Sequence, residues 1–304
     1  MLGLACGDAL GSAVEFKPRG TFEPLTDMVA SSVHGLPLGY WTDDTSMALC
    51  LAESLISKSG MDLTDQLTRY VRWWREGHLS STGRCFDIGN TTSAALSHFE
   101  HTGDPYSGPT DPRQAGNGSI MRLAPVPLFF SYDVDAAVDN SAESSRTTHG
   151  AEEAVQACRY FGSLIAGAAN GASKGDLLSE GFAPANLSPK VAEVASGSFK
   201  RKDESRIRGS GYCVESLEAA LWAFDNFRSF EEGALLAVNL GDDADTTAAI
   251  YGQLAGALYG AHAIPAQWLD KLVMRERIIE LADELFTLSG TISPDEPPSA
   301  GARL

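Results

Sequence analysis

Apolar residues recur along this chain at helical spacing and nowhere alternate with polar ones at the two-residue period of a half-buried strand, so the pattern predicts an all-α fold. The clearest run, Ala248 to Ile264, lacks Asp, Glu, Lys and Arg and directly follows a cluster of aspartates. Within it Ala248, Gly252, Gly256 and Gly260 stand four residues apart, which lines one helix face with small side chains. Glycine inside a helix costs roughly 1 kcal/mol against alanine, so such a face predicts close approach of another backbone rather than local helix preference. A similar mixture of Gly and Ala opens the sequence from Met1 to Gly11, starting abruptly as if already inside a helix.

Other helical segments follow the same periodicity. Ser46 to Ser57 reads as an apolar helix that Gly60 can terminate. Thr64 to Gly77 reads as an amphipathic one with Leu67, Tyr70, Val71 and Trp74 on its core face. Polar helix starts are expected near Phe86 to Leu96 and at Ala151, and a glycine turn at Ala115 to Arg122 is expected to run straight into a helix. Tyr212 to Phe227 and Phe230 to Asn239 return to helical spacing. Between them, Pro18 to Tyr40 carries six Pro and Gly breakers and is a candidate mobile flap. Gly171 to Gly211 is the least regular stretch, and Thr291 to Leu304, with Pro294, Pro297 and Pro298, is expected to be disordered. No linker divides the chain, so one domain over 1–290 is expected.

Composition narrows the partners. A chain of 304 residues with 43% hydrophobic content can bury a large core. Its net charge of −17 disfavours binding a nucleic-acid backbone through the general surface and favours an inner cation site over an anionic one. Five widely spaced cysteines without a C-x-x-C pair indicate neither a disulfide framework nor a zinc knuckle, but small core residues in a reducing compartment. The sequence shows no basic-then-apolar leader, and Gln253 and His262 interrupt its most apolar run; a cytoplasmic protein without a membrane partner is expected. Lys200, Arg201 and Lys202, with Arg206 and Arg208, read as a solvated basic loop or a contact for an anionic partner.

The candidate chemistry lies at helix starts. Asp242, Asp243 and Asp245 put three carboxylates in four positions at the mouth of the glycine-faced helix. One would serve as a cap; a second and third repel each other unless solvent or a cation intervenes. Thr42-Asp43-Asp44-Thr45 matches that cluster chemically and opens another helix, as a two-metal site built on helix ends would require. Asp87 taken alone is a cap, and His149 a lone histidine of a kind more often structural. The amides of the glycine turn at Gly116 to Ser119 can hold a phosphate, though no known phosphate-loop pattern is present.

Taken together, Gly7-Asp8-Ala9-Leu10-Gly11 with Glu15, Thr42-Asp43-Asp44-Thr45, Asp87-Ile88-Gly89-Asn90-Thr91, Gly116-Asn117-Gly118-Ser119-x-Met121-Arg122, Thr148-His149 and Gly241-x-Asp243-Ala244-Asp245-Thr246 resemble the ADP-ribosylglycohydrolase family. The blocks run in the family's order from residue 3 to about 260. The resemblance implies a compact, orthogonal, all-helical bundle with two divalent ions, Mg²⁺ or Mn²⁺, in a cleft for ADP-ribose. Matching positions imply Thr42, Asp43, Asp44, Asp243, Asp245 and Thr246 as ligands of the ions. Glu15 is implied on the flap near the metals, and Asp87 at the place of an acid proposed as base, so Glu15, Asp87 and Asp44 form the implied catalytic set. Asn117, Gly118, Ser119 and Met121 match the loop around the diphosphate and proximal ribose, His149 a ribose or phosphate contact, and Tyr212 an aromatic that stacks on adenine. Two departures stand out: Asp242 stands where a second Gly is usual, and the expected lead-in helical turn is lacking at the N-terminus.

The implied reaction is metal-assisted hydrolysis at ribose C1″ with release of ADP-ribose, with either Glu15 or Asp87 accepting the proton. Arginine on a protein is the first choice of leaving group, and serine, nucleic-acid or small-molecule conjugates remain alternatives. A non-hydrolytic ADP-ribose binder, a crystallin-like structural relative and a diphosphate-cleaving phosphohydrolase are the rival readings. The full set of acidic donors speaks against a retired site, because their repulsion destabilises an empty fold. A monomer is expected.

Overall fold

The computed structural model describes residues 1–289; the tail expected from Thr291 to Leu304 lies outside them. The helices are α1 (Leu2–Gly11), α2 (Asp43–Lys58), α3 (Leu63–Glu76), α4 (Asn90–Thr102), α5 (Pro125–Phe129), α6 (Val134–Arg146) and α7 (Glu152–Ala169). They continue with α8 (Lys174–Leu177), α9 (Pro189–Ala195), α10 (Cys213–Asn226), α11 (Phe230–Val238), α12 (Ala244–Tyr259), α13 (Ala266–Lys271) and α14 (Arg275–Ser289). Among the described residues no strand forms, only isolated bridges such as Pro18 with Gly241 and Gly116 with Tyr212. The fold is all-α, as the periodicity predicts.

Helices α1 and α12 lie backbone against backbone. A Cβ on Gly3 would stand 2.1 Å from the Gly252 carbonyl oxygen, one on Gly7 2.1 Å from that of Ala248, and one on Gly11 2.4 Å from Asp245 Cα. Partners step backward in α12 as they advance in α1, so the pair is antiparallel. Gly260 is not part of this face: α12 stops at Tyr259, and Gly260 takes φ 77°, a conformation that favours glycine just past a helix end. Helices α2, α7, α10 and α11 pack around α12. Gln253, the polar residue of the apolar run, accepts from Ala124 N (2.7 Å) and donates to the Ile120 and Met121 carbonyls (3.1 and 2.7 Å). Those carbonyls are therefore not continuing a helix. Residues 117 to 122 form successive turns rather than the helix expected there.

Other boundaries also differ from expectation. Helix α2 begins at Asp43, not Ser46, because both acids enter its first turn, where negative charge opposes the macrodipole. Ser59 rather than Gly60 takes the left-handed position that ends it. Helix α3 buries Gln66, Leu67, Tyr70 and Trp73; Trp74 instead lies under the Arg75 guanidinium at 3.6 Å. The stripe is displaced because Gln66 Nε2 finds Tyr70 Oη, Ser144 Oγ and Thr147 Oγ1 in the interior.

The breaker-rich segment is anchored at several points. Arg19 donates to the carbonyls of Leu240, Glu204 and Ile207, the Asn239 side chain pairs with both backbone groups of Leu25, and Trp268 Nε1 donates to Asp27 at 2.6 Å. Its turn at Ser31 to Leu36 is closed by reciprocal backbone bonds and held to α1's exit by Ser31 Oγ on the Ser12 carbonyl. In the basic stretch, Lys202 pairs with Glu218 and Lys200 caps the Leu178 carbonyl. All five cysteines are free thiols, four of them buried. Among the described residues no helix is long and apolar enough to cross a membrane.

Candidate active site

The N-termini of α2 and α12 meet beside the C-terminal half of α1, and Asp8 on α1 holds the junction. Its Oδ1 accepts from the backbone N and Oγ1 of Thr42 (2.8 and 2.9 Å), and its Oδ2 from the same pair of groups on Thr45 (2.9 and 2.6 Å). All four acceptor directions of a buried carboxylate are used to fix the start of α2. Burial still raises Asp8 to about 6, although these four bonds oppose the shift.

Thr42 Oγ1 also faces Asp245 Oδ2 at 3.2 Å and Asp44 Oδ2 at 3.3 Å, with Thr246 Oγ1 3.4 Å from the latter. The threonine carries one hydroxyl hydrogen, and Asp8 is its nearest acceptor. The remaining carboxylate oxygens therefore confront one another without enough protons to pair them. Oδ1 of Asp44 and Oδ1 of Asp245 are buried with no hydrogen-bond partner at all. Unpaired buried carboxylates are costly unless they are protonated or hold a cation. Asp43, Asp44 and Asp245 are each pushed well above the ordinary carboxylate range, by burial first and then by their acidic neighbours. Asp243 is raised by burial as well, though Asn117 Nδ2 donates to its Oδ2 at 2.7 Å. Carboxylate and hydroxyl oxygens alone make up this donor set, and it fits hard divalent cations.

Glu15 closes the other side. One oxygen each from Glu15, Asp243 and Asp245 lie within 4.8 Å of one another. The ring of His34, from the Ser31 to Leu36 turn, reaches over with Nε2 2.6 Å from Glu15 Oε2 and 3.8 Å from Asp87 Oδ2. That hydrogen bond to Glu15 raises the His34 pKa. Asp87, at φ 61° just before α4, is raised to about 8 by burial and then by Glu15. Asp242 occupies left-handed backbone (φ 56°), which accounts for a glycine preference there and which Asp tolerates better than most residues. Its backbone pairs with Phe16 N and the Lys17 carbonyl.

Glu15, Asp43, Asp87, Asp242, Asp243, Asp245 and Thr246 line a cavity of about 690 Å³ that also includes the glycine turn, while Thr42 and Asp44 lie buried behind that lining. Asn117, Gly118, Met121 and His149 all contribute to the lining. Ser119 does not: its hydroxyl accepts from Ser145 Oγ at 2.9 Å in the interior. Tyr212 frames the turn through its backbone bridge to Gly116, but its hydroxyl is bound by Glu153 and Lys190, and Lys190 Nζ lies 5.0 Å over its ring. His149 is buried and held neutral, lowered to about 3 by burial and then by the Arg122 charge. Sequence reasoning quoted Asp8 without a role and missed His34. Asp8 is the one charged residue in a helix otherwise made of Gly, Ala, Leu and Cys6, a signal for a buried bracket; His34 lies in a loop whose path no local pattern specifies.

A family profile described as ADP-ribosylglycohydrolase matches residues 1–294. The chain is 45% identical over 289 residues to an ADP-ribosylarginine hydrolase Tri1 of Serratia proteamaculans, covering 95% of this chain and 78% of that one. It is 30% identical to the ADP-ribosyl-[dinitrogen reductase] glycohydrolase of Rhodospirillum rubrum, covering 95% of each. A solved structure described as an ADP-ribosylglycohydrolase-related protein complex superposes with a TM-score of 0.85 at 47% identity, over 95% of both chains.

Proposed function

The chain belongs to the ADP-ribosylglycohydrolase family and is an ADP-ribosyl hydrolase, and on that premise we propose that its substrate is ADP-ribosyl-arginine on protein. The arginine linkage is supported by the relatives from Serratia proteamaculans and Pseudomonas putida, at 45% and 46% identity, both described as ADP-ribosylarginine hydrolases. The single observation that carries the chemistry is the unpartnered buried oxygen on Asp44 and on Asp245, two carboxylates whose other oxygens both face the Thr42 hydroxyl.

In this proposal Thr42, Asp43, Asp44, Asp243, Asp245 and Thr246 hold two divalent ions, Mg²⁺ or Mn²⁺. Bound there, the ions supply positive charge that orients the ribose hydroxyls and acidifies a water. The Asn117 side chain and the Gly118 and Ser119 amides bind the diphosphate, the Gly116 and Asn117 amides being held by the Gln114 and Gly211 carbonyls, while His149 donates from beside them and Met121 gives the sugar an apolar contact. Glu15 has one oxygen committed to His34, whereas among the described residues no hydrogen bond ends on the Asp87 carboxylate; Asp87 therefore takes the proton from the attacking water as positive charge develops at C1″. Glu15 positions the water and closes the cation site. A stacking role for Tyr212 would require Lys190 to leave its ring face, and adenine recognition is left out of the proposal. The free thiols fit action in a reducing compartment such as the cytoplasm.

The test is mass analysis of the product from arginine-ADP-ribosylated protein, with and without exhaustive chelation. Free ADP-ribose that vanishes with chelator and returns with Mg²⁺ or Mn²⁺ is expected. AMP released with phosphoribose left on the arginine would make the protein a diphosphate hydrolase, and no product from the arginine linkage with turnover of a serine-linked substrate would reassign the leaving group.

A further inference from the structure

Arg122 is a buried cation without a counter-ion. Its side chain is almost fully enclosed (1% exposed), and among the described residues no carboxylate pairs with it. Nη1 donates to the Gly118 carbonyl at 2.8 Å and touches Met47 Sδ at 3.8 Å, Nη2 donates to Thr148 Oγ1 at 2.6 Å, and the guanidinium lies 4.5 Å over the Tyr70 ring. Its Nε has no partner. Burying an ion with only neutral partners costs several kcal/mol, and an apolar side chain of the same size would avoid that cost. The two strong bonds both end at the cavity wall: one on the glycine turn, the other on the residue before His149.

One arrangement of the hydrogens gives both Arg122 Nη2 and the Thr148 hydroxyl an acceptor. An arginine can only donate, so Thr148 Oγ1 gives Arg122 a lone pair and keeps its own hydrogen. The acceptor within reach of that hydrogen is His149 Nδ1, at 2.9 Å. Nδ1 is then the unprotonated nitrogen, and the proton of the neutral imidazole sits on Nε2, which faces the cavity. Gly118 leaves room for the ring there: a Cβ on it would stand 2.7 Å from His149 Cε1 and 3.0 Å from Nε2. The same guanidinium also binds the Gly118 carbonyl, and the turn is left with the Gly118 and Ser119 amides to present.

We propose that Arg122 is a positioning residue that acts through Thr148 to lock His149 as a neutral Nε2–H donor and, through the Gly118 carbonyl, to set the glycine turn, so that both present donors to the diphosphate or ribose oxygens of an ADP-ribose ligand. The ligand part rests on the functional proposal above; the tautomer part does not. A neutral donor fixed in this way keeps its direction and charge state across the physiological pH range, where an ordinary histidine would change both.

The test labels histidine with ¹⁵N and reads the ring shifts of His149, assigned by its absence in His149→Phe, from pH 5 to 8. The parent protein is expected to show a single neutral Nε2–H tautomer throughout. Thr148→Val keeps the side-chain shape and removes the hydroxyl; it is expected to mix the tautomers and weaken free ADP-ribose, measured calorimetrically with Mn²⁺ present, by about tenfold, the size of one lost hydrogen bond. Thr148→Ser should restore both. In a His149→Phe background, Thr148→Val should have no further effect on affinity, because the relay would have nothing left to orient. Metal content should be the same in all five proteins. A parent His149 that titrates between pH 5 and 8 or carries its proton on Nδ1 would overturn the relay, and so would full-strength binding by Thr148→Val. Failure of ADP-ribose to bind the parent protein would instead sink the functional proposal, with the tautomer measurement still deciding the relay.

Discussion

Gly7→Ala is a one-methyl test of whether the acid site depends on the approach of α1 to α12. The added Cβ would lie 2.1 Å from the Ala248 carbonyl oxygen, 2.5 Å from its carbon and 2.9 Å from Ala249 N. All three obstacles are backbone, so no rotamer change relieves them, and ordinary contact requires the helices to part by about 1 Å. Alanine gains about 1 kcal/mol in helix preference over glycine, while overpacking of this kind costs up to about 3 kcal/mol, leaving a net loss of about 2 kcal/mol. At roughly 2–4 °C per kcal/mol for a chain of this size, the melting temperature should fall by roughly 4–8 °C. Because Asp8 follows Gly7 and Asp245 opens α12, the same movement should weaken Mn²⁺ binding measured by titration calorimetry. Gly60→Ala is the control: nothing lies within 4 Å of its added Cβ and its φ is not left-handed, so neither quantity should change. If Gly7→Ala melts within about 1 °C of the parent and binds Mn²⁺ equally well, the close helix contact is not what sets the site.

Asp245→Asn should lose tightly bound metal and turnover together, since it removes a ligand charge; full metal content with full activity would reduce the acidic stretch to a helix cap. Asp87→Asn should keep its metal while slowing single-turnover release of ADP-ribose by about 10²–10⁴, with Glu15→Gln affected less; the reverse order would make Glu15 the base. Metal-free protein should become less stable as pH rises from about 4 to about 8, because the folded state holds protons on Asp43, Asp44, Asp87, Asp243 and Asp245 that the unfolded state releases near its ordinary carboxylate range. The rise in melting temperature on adding Mg²⁺ or Mn²⁺ should accordingly grow with pH over that window; a metal effect that shrinks as pH rises would contradict the raised carboxylates.

The acid clusters at 42–45 and 243–246 were legible because their chemistry is self-referential: like charges at two helix starts need a shared partner wherever the chain runs between them. The small-residue face of α12 was legible for a similar reason, as the interior glycines Gly252 and Gly256 have no local justification, although Gly260 follows the same spacing and serves only to end the helix. Trp74 shows the limit of periodicity. Its neighbour Trp73 is buried instead because Gln66 finds polar partners on α6 and on Thr147, which no window on α3 contains. His34 reaches Glu15 through a loop path fixed by Arg19, Asn239 and Trp268 contacts with distant segments. Ser119 and Tyr212 sit in the expected blocks, yet whether a side chain turns inward or into the cavity depends on neighbours such as Ser145 and Lys190.

The antiparallel pairing of α1 with α12 also governs when this protein can fold. Gly3, Gly7 and Gly11 meet residues some 230 to 250 positions later in the chain, so at typical synthesis rates α1 leaves the ribosome roughly 10 to 50 s before its partner exists. Through that interval its glycine-rich, sparsely apolar face offers little to hold a wrong partner, and Asp8 has Thr42 and Thr45 to bond long before Asp243 and Asp245 arrive. The mutually repelling carboxylates come together only in the final step of assembly, the step with the longest loop to close. Capture of the proposed cations would then wait for α12, and a polypeptide arrested before residue 243 would carry half of the proposed ligands and no site.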